Sequence, residues 1–240
     1  MSNSFRTTNS NGLINKDKKI NFTFNGTIYH GYEGDTLASA LIANGVHLVG
    51  RSFKYHRPRG FLGVGVEEPN AMVQLHDGNK SEPNIIATEV ELVEGLKAKS
   101  QNCWPSVQFD IGEINNVLNR FFPAGFYYKT FMWPKSFWMK IYEPFIRKAA
   151  GMGKAPLLPD PDRYEHNYEH CDVLVVGSGP SGLASALAAA KNGARVILAE
   201  DKPNFGGSLL TDEVTIGNMS GKEWASDTIS QRKSMPNVIL

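Results

Sequence analysis

Apolar and polar positions alternate from Ile20 to His30 on either side of Asn25-Gly26. A period of two broken by a dipeptide that tolerates positive φ predicts a β-hairpin. The period then lengthens. Leu37, Ala40 and Leu41 fall at helical spacing, with Asp35 or Thr36 available as a cap and Asn44-Gly45 as a stop, so a short helix is predicted over 37–44. Strand-like runs follow at 71–75 and 85–90. Hairpin, helix and later strands within about a hundred residues predict a small α+β domain. Residues 1–18 are polar, rich in Ser and Asn, and read as a flexible tail.

A different pattern begins near residue 166. The unbroken apolar run Val173–Val176 predicts a strand buried on both faces. It leads into Gly177-Ser178-Gly179-Pro180-Ser181-Gly182, an Ala-rich helix ending near Asn192-Gly193, and a second strand, 195–199, that stops at Glu200. Strand, G-x-G-x-x-G, helix, strand and acid together form the βαβ dinucleotide fingerprint. Gly177 would permit the tight turn, Gly179 the close approach of a pyrophosphate, and Gly182 the packing of helix on sheet. The helix N-terminus at Pro180 and Ser181 would offer amides to phosphate. Glu200 is placed to accept the adenosine ribose hydroxyls, with Asp201 and Lys202 beside it. Gly207 and Ser208 would return a loop to the bound dinucleotide, and Ser208 could bond a phosphate. An acid followed by Gly-Gly and a hydroxyl is typical of enzymes with paired flavin and nicotinamide domains, which by itself favours FAD slightly over NAD.

Between these regions, 11 of the 25 aromatic residues fall in 121–145, among them Phe121, Phe122, Tyr127, Tyr128, Trp133, Trp138 and Phe145. Such a stretch predicts an arm with short helices whose rings are buried on its own chain or another subunit. The proline-rich stretch 151–162 is the expected boundary. The expected organisation is therefore a tail (1–18), an α+β domain (19–110), an aromatic arm and linker (111–165) and a dinucleotide-binding domain (166–240).

Composition narrows the chemistry. Hydrophobic residues make up 41% and the formal charge is +1, as in an ordinary globular chain with no basic field for nucleic acid or anionic lipid. No apolar run approaches the about 18 residues of a membrane span. Two cysteines, Cys103 and Cys171, exclude a disulfide framework and a four-thiolate centre, and fit a reducing, cytoplasmic setting. His166 and His170 read as linker histidines, so no metal ligand is named. The basic block Arg51–Arg59 reads as a structural loop or as a contact for a subunit or an anionic cofactor. No nucleophile–base pair is legible, and no catalytic residue is named.

Several stretches resemble the alpha-subunit family of heterotetrameric sarcosine oxidases. They are Gly34–Leu41 with Asn44-Gly45, Phe53–Gly60, Glu67–Ala71, Gly125–Phe131 and the Gly177 fingerprint. The resemblance covers 19–240. It implies a ferredoxin-like first domain, followed by a Rossmann-type dinucleotide domain that binds NAD, with FAD as the alternative. Relatives of this family carry a [2Fe–2S] cluster in the first domain. With only Cys103 in that region, the expectation here is no iron–sulfur cluster. The resemblance further implies beta, gamma and delta partner subunits and, elsewhere in the complex, FAD, FMN and folate. The complex would demethylate sarcosine oxidatively to glycine. Alternatives are a subunit of an FAD- or NAD-dependent oxidoreductase for another amine or amino acid, or a scaffold without ligand. Only about 70 residues follow Cys171, so the chain reads as an inactive N-terminal fragment with an incomplete nucleotide domain.

Overall fold

The alternation around Asn25-Gly26 folds as a hairpin. Strands β1 (Asn15–Phe24) and β2 (Thr27–Glu33) pair antiparallel with Phe24 opposite Thr27, and Asn25 and Gly26 take φ of +50° and +81°. The structure is a computed structural model that describes residues 5–7, 14–121, 125 and 131–240. It divides into two units, Met1–Asp162 and Arg163–Leu240.

In the first unit, helix α1 (Leu37–Ala43) starts from a capping box. Thr36 Oγ1 accepts from the Ser39 N–H, and Ser39 Oγ accepts from the Thr36 N–H. A short ribbon follows, β3 (Gly50–Arg51) with β4 (Pro58–Arg59). Strands β5 (Met72–Leu75), β6 (Glu82–Ile86) and β7 (Lys97–Ser100) complete a five-stranded sheet of order β2-β1-β7-β5-β6, in which β1 and β7 are parallel. Phe22, Phe24, Leu37, Leu41, Val73 and Leu92 form its core. Full burial of each such side chain is worth about 1.5–3 kcal/mol.

Three expectations change in this unit. The run 85–90 is not one strand: β6 ends at Ile86, and the Glu89 N–H turns back to the Ile86 carbonyl at 2.9 Å. The Val90 carbonyl is then free to take the Leu37 N–H at the open end of α1, at 2.8 Å. The tail is not loose throughout. The Phe5 N–H bonds the Ala43 carbonyl at 3.1 Å, and Arg6 grips the buried Asp35 with Nη1 at 3.0 Å and Nη2 at 2.7 Å. A buried carboxylate is costly without such a partner. Finally, the aromatic arm does not bury its rings among the described residues. Its short helices form, a 3-10 turn at Lys135–Phe137, a π turn at Trp138–Tyr142 and a helix at Glu143–Ala149. Phe121, Trp133, Trp138 and Phe145 nevertheless remain exposed. Phe122, Tyr127 and Tyr128 lie outside the described residues, as does most of the stretch 125–131.

Two buried carboxylates organise loops in this unit. Glu68 accepts backbone N–H groups from Leu62, Gly63, Asn70 and Ala71 at 2.6–3.2 Å. Burial pushes its carboxyl up, but these four donors outweigh that and hold it below the usual carboxylate range. Asp110 accepts from the Trp104 and Gly112 N–H groups, each at 3.1 Å, and stands 2.6 Å from His56 Nδ1. His56 has φ +52°, and a Cβ on Gly112 would fall 2.3 Å from His56 Nδ1.

The second unit is built on a three-stranded parallel sheet in which β9 (Val196–Ala199) lies between β12 (Val238–Ile239) and β8 (Val173–Val176). Strand β8 (Val173–Val176) leads through the glycine turn into a helix at Pro180–Lys191. Strand β9 (Val196–Ala199), the ribbon β10 (Thr215–Ile216) with β11 (Met219–Ser220), a helix at Gly221–Lys233 and β12 (Val238–Ile239) follow. The expectation that β8 is buried on both faces fails. Val173 and Val175 point to the helices, while Leu174 and Val176 stay 58% and 80% exposed. Among the described residues no helix covers that second face, and the apolar run lies over a half-covered sheet. Arg232, in the last turn of the Gly221–Lys233 helix, is fully buried, and none of its three guanidinium nitrogens has a hydrogen-bond partner among the described residues. Among the described residues, no helix is long and apolar enough to cross a membrane.

Candidate functional site

The candidate site gathers at the carboxyl end of β8. Gly177 leaves the strand at φ +92°, a conformation that disfavours any side chain. Gly179 is the residue before the Pro180–Lys191 helix, and no side chain caps that helix. Pro180 occupies the first helical position, where a missing N–H costs nothing. The first-turn amides, including those of Ser181 and Gly182, therefore have no side-chain cap, at the positive end of the helix dipole. A Cβ at Gly179 would have no atom within 4 Å, so the backbone here faces open space. A Cβ at Gly182 would lie 2.0 Å from the Gly177 carbonyl oxygen, which is why the helix starts this close to the turn.

Glu200 reaches back from the end of β9. Its Oε2 accepts the Ser178 N–H at 2.7 Å and also the Ser178 hydroxyl, while Oε1 accepts the Asp201 and Lys202 N–H groups at 3.0 and 3.1 Å. Burial raises its pKa, but the Ser178, Lys202 and Asp201 hydrogen bonds prevail and bring it down to about 2. The carboxylate is ionised at neutral pH and fixed in place by four donors, two on each oxygen. Asp201 and Lys202 are exposed beside it.

The third component is the Gly206-Gly207 loop, at φ +134° and +54°. It crosses the fingerprint closely enough that a Cβ on Gly207 would fall 2.9 Å from Gly179 Cα. Ser208 lies exposed in the 3-10 turn Gly207–Leu210. All ten residues singled out from the sequence thus belong to three adjoining segments. Sequence reasoning missed Ser178. It is fully buried, donates its hydroxyl to Glu200 and accepts the Gly206 N–H at 3.0 Å, and so ties the three segments together. The available signal was a hydroxyl residue between two glycines, ahead of an acid and a Gly-Gly pair.

Residues 172–232 match the family described as FAD dependent oxidoreductase, and residues 17–103 match the 2Fe-2S iron-sulfur cluster binding domain. The second match overturns the expectation that an iron–sulfur cluster is foreign to this chain: its first domain is of the cluster-binding kind. The donors do not fit such a cluster in the usual way. Cys103 is the only cysteine in 17–103. Burial and Asp110 push its thiol up, only partly offset by Arg51. Among the described residues, no three His, Cys, Asp or Glu side chains converge as metal ligands.

The chain is 57% identical, over 95% of its length, to the sarcosine oxidase subunit alpha of Rhizobium meliloti (strain 1021), and spans 23% of that protein. It is 33% identical over 82% of its length to the subunit alpha of Corynebacterium sp. (strain U-96), and spans 16% of it. Superposed on the L-proline dehydrogenase of P. horikoshii, it gives a TM-score of 0.48 at 18% identity, covering 97% of this chain and 34% of that one.

Proposed function

This chain is a homologue of the sarcosine oxidase alpha subunits and thus an oxidoreductase subunit, and we propose that residues 172–240 form a Rossmann-type unit holding the adenosine diphosphate half of a dinucleotide, the half that FAD and NAD share. One observation carries the reading: an ionised carboxylate, Glu200, is fixed at a strand end beside an uncapped helix N-terminus whose glycine, Gly179, leaves the approach clear.

The residues divide the work. The Ser181 and Gly182 amides and the helix dipole take the pyrophosphate charge. Glu200 accepts the ribose hydroxyls, each in place of one of its four present donors, and thereby fixes the adenosine end. Gly179 keeps the approach to the helix N-terminus free of side chains and Gly207 lets the returning loop lie against the turn, with Ser208 and Lys202 at the edge of the approach. Glu200 and Asp201 together repel a 2′-phosphate, which brings roughly −2 charge. When bound, the dinucleotide supplies two-electron redox chemistry. We assign no proton-transfer or nucleophilic role to this chain. At the level of the whole enzyme, the reading is oxidative demethylation of sarcosine to glycine, in a complex of alpha, beta, gamma and delta subunits that uses flavin, oxygen and tetrahydrofolate in the cytoplasm.

Calorimetric titration of the full-length subunit with ADP-ribose, FAD, NAD and NADP tests this. ADP-ribose is expected to bind, NADP to bind at least ten-fold more weakly than NAD, and Glu200→Ala to weaken ADP-ribose by about 1.5–3 kcal/mol. The identity of the tighter dinucleotide assigns the cofactor. Failure of all ADP-containing ligands to bind, or equal affinity for NAD and NADP, would overturn the reading.

A further inference from the structure

Residues 5–7 belong to no strand or helix, yet Phe5 and Arg6 are seated on α1 and β2 by contacts of three kinds. The Phe5 N–H donates to the Ala43 carbonyl at 3.1 Å. The Phe5 ring meets the His47 imidazole edge-on, with centroids 5.4 Å apart. It fits there because residue 45 is glycine: a Cβ would fall 2.9 Å from Phe5 Cε2. Arg6 follows, with its guanidinium 5.1 Å from the Tyr32 ring centroid and its two outer nitrogens on the two oxygens of Asp35.

The receiving side is held by its own bonds. The Ser39 hydroxyl donates to Asp35 Oδ1 at 2.6 Å, and the Tyr32 N–H donates to Oδ2 at 2.9 Å. The Asp35 backbone is tied to the Tyr32 carbonyl through its N–H and to the Leu92 N–H through its carbonyl, at 3.0 and 2.9 Å. Ser39 is itself fixed by the capping box with Thr36. The carboxylate is thus oriented by α1 and β2 before any cation arrives, and its side chain is fully buried. Each oxygen has taken one neutral donor and keeps one position for a second. Two such positions side by side match a planar guanidinium fork, which an ammonium group cannot reproduce.

We propose that the cleft between α1 and β2 is a recognition site for a peptide segment carrying an aromatic residue followed by arginine, and that Phe5-Arg6 fills it as a detachable strap. The slot at Gly45 and His47, the Ala43 carbonyl, and the Asp35 carboxylate beside Tyr32 read the aromatic ring, the backbone and the guanidinium in turn. The site is built for its ligand, whereas the strap is joined to it through two residues. An empty site leaves a buried carboxylate without a cation, which is costly. The stability of the first unit therefore depends on occupancy, and a segment of the same chemistry supplied from outside can replace the strap. None of this involves the nucleotide site.

The test uses the full-length subunit with residues 1–7 deleted and a fluorescent peptide of residues 1–7. The peptide should bind the shortened chain saturably by anisotropy, and bind the intact chain, whose own strap competes, at least ten-fold more weakly. Arg6→Lys in the peptide should weaken binding at least ten-fold. Deletion should lower the thermal midpoint, and the peptide should restore it. Should the shortened chain not fold, the intact chain with a protease site in 8–13 is cut after folding. The cut strap should then exchange for the labelled peptide, and the Arg6→Lys peptide should not displace it. Absence of binding or exchange, equal affinity for intact and shortened chains, or indifference to Arg6→Lys would overturn the proposal. A midpoint unmoved by the deletion would do so too.

Discussion

The Ser178 hydroxyl is enclosed between the Glu200 carboxylate, to which it donates, and the Gly206 N–H, which it accepts at 3.0 Å. One buried oxygen thus fixes both the Glu200 carboxylate and the returning loop. Ser178→Ala should leave Glu200 with three backbone donors and the Gly206 N–H with none. Loss of a hydrogen bond to a charged group predicts about 1.5–3 kcal/mol of destabilisation of this unit. ADP-ribose affinity should fall as well, although Ser178 does not face the approach to the helix N-terminus. Chemical denaturation and calorimetry of the variant measure the two effects.

Acid should act on the same contact. The Glu200 carboxyl lies at about 2 in the fold, below its ordinary value of 4.5. A depressed pKa stabilises the folded state above the ordinary value, and that stability is lost as pH falls from 4.5 towards 2. In Glu200→Gln, this part of the acid unfolding curve should flatten.

Glu68 makes a parallel prediction in the first unit. Its carboxyl is also held down, by four backbone N–H donors against the cost of burial. Its contribution is therefore complete above the usual carboxylate range and lost as pH falls below it. Glu68→Gln turns one acceptor oxygen into a donor facing other donors, and should cost about 2–3 kcal/mol at neutral pH. Thermal melts from pH 7 to 3 should show the wild-type midpoint falling towards that of the variant.

Gly182→Ala should be poorly tolerated, because its Cβ would lie 2.0 Å from the Gly177 carbonyl oxygen. Separating the helix from the turn predicts about 1–3 kcal/mol of overpacking strain. It should also weaken ADP-ribose binding, because the first-turn amides move with the helix. By contrast, Gly179→Ala meets no protein atom within 4 Å, so it should lower nucleotide affinity while leaving the melting midpoint nearly unchanged. That contrast distinguishes the packing glycine from the clearance glycine.

Arg232→Met should raise stability. The wild-type guanidinium is buried without a partner, and replacing a buried charge by an apolar side chain of similar length is often stabilising by about 1–4 kcal/mol. A higher denaturation midpoint in the variant checks this.

Much of this architecture was legible from local patterns. Asn25-Gly26 marked the hairpin because only a few residues tolerate its turn, and the run from Gly177 to Ser208 marked three segments that adjoin in the fold. What escaped depended on contacts between distant segments. Nothing near Arg6 announces that it pairs with Asp35, and nothing near Ser178 announces Gly206. The apolar run Val173–Val176 read as doubly buried because a sequence pattern records hydrophobicity, not whether a neighbour arrives to cover it. The rings of the arm are exposed on this chain for the same reason: aromatic density predicts burial, but not against which surface. The cysteine count suggested a cluster-free first domain, whereas the family of that domain is the cluster-binding one.

The gap beneath His56 bears on how this sequence can drift. Because Asp110 holds the imidazole where a Cβ at residue 112 would stand, the two positions cannot vary independently. Any side chain at 112 is admissible only after 56 has become small, and a small residue at 56 abandons the partner of Asp110. Passage from one arrangement to the other goes through a less fit intermediate whichever position changes first. In a saturation library, tolerance at 112 should therefore be conditional on the residue at 56, a strong sign epistasis between two positions far apart in the chain.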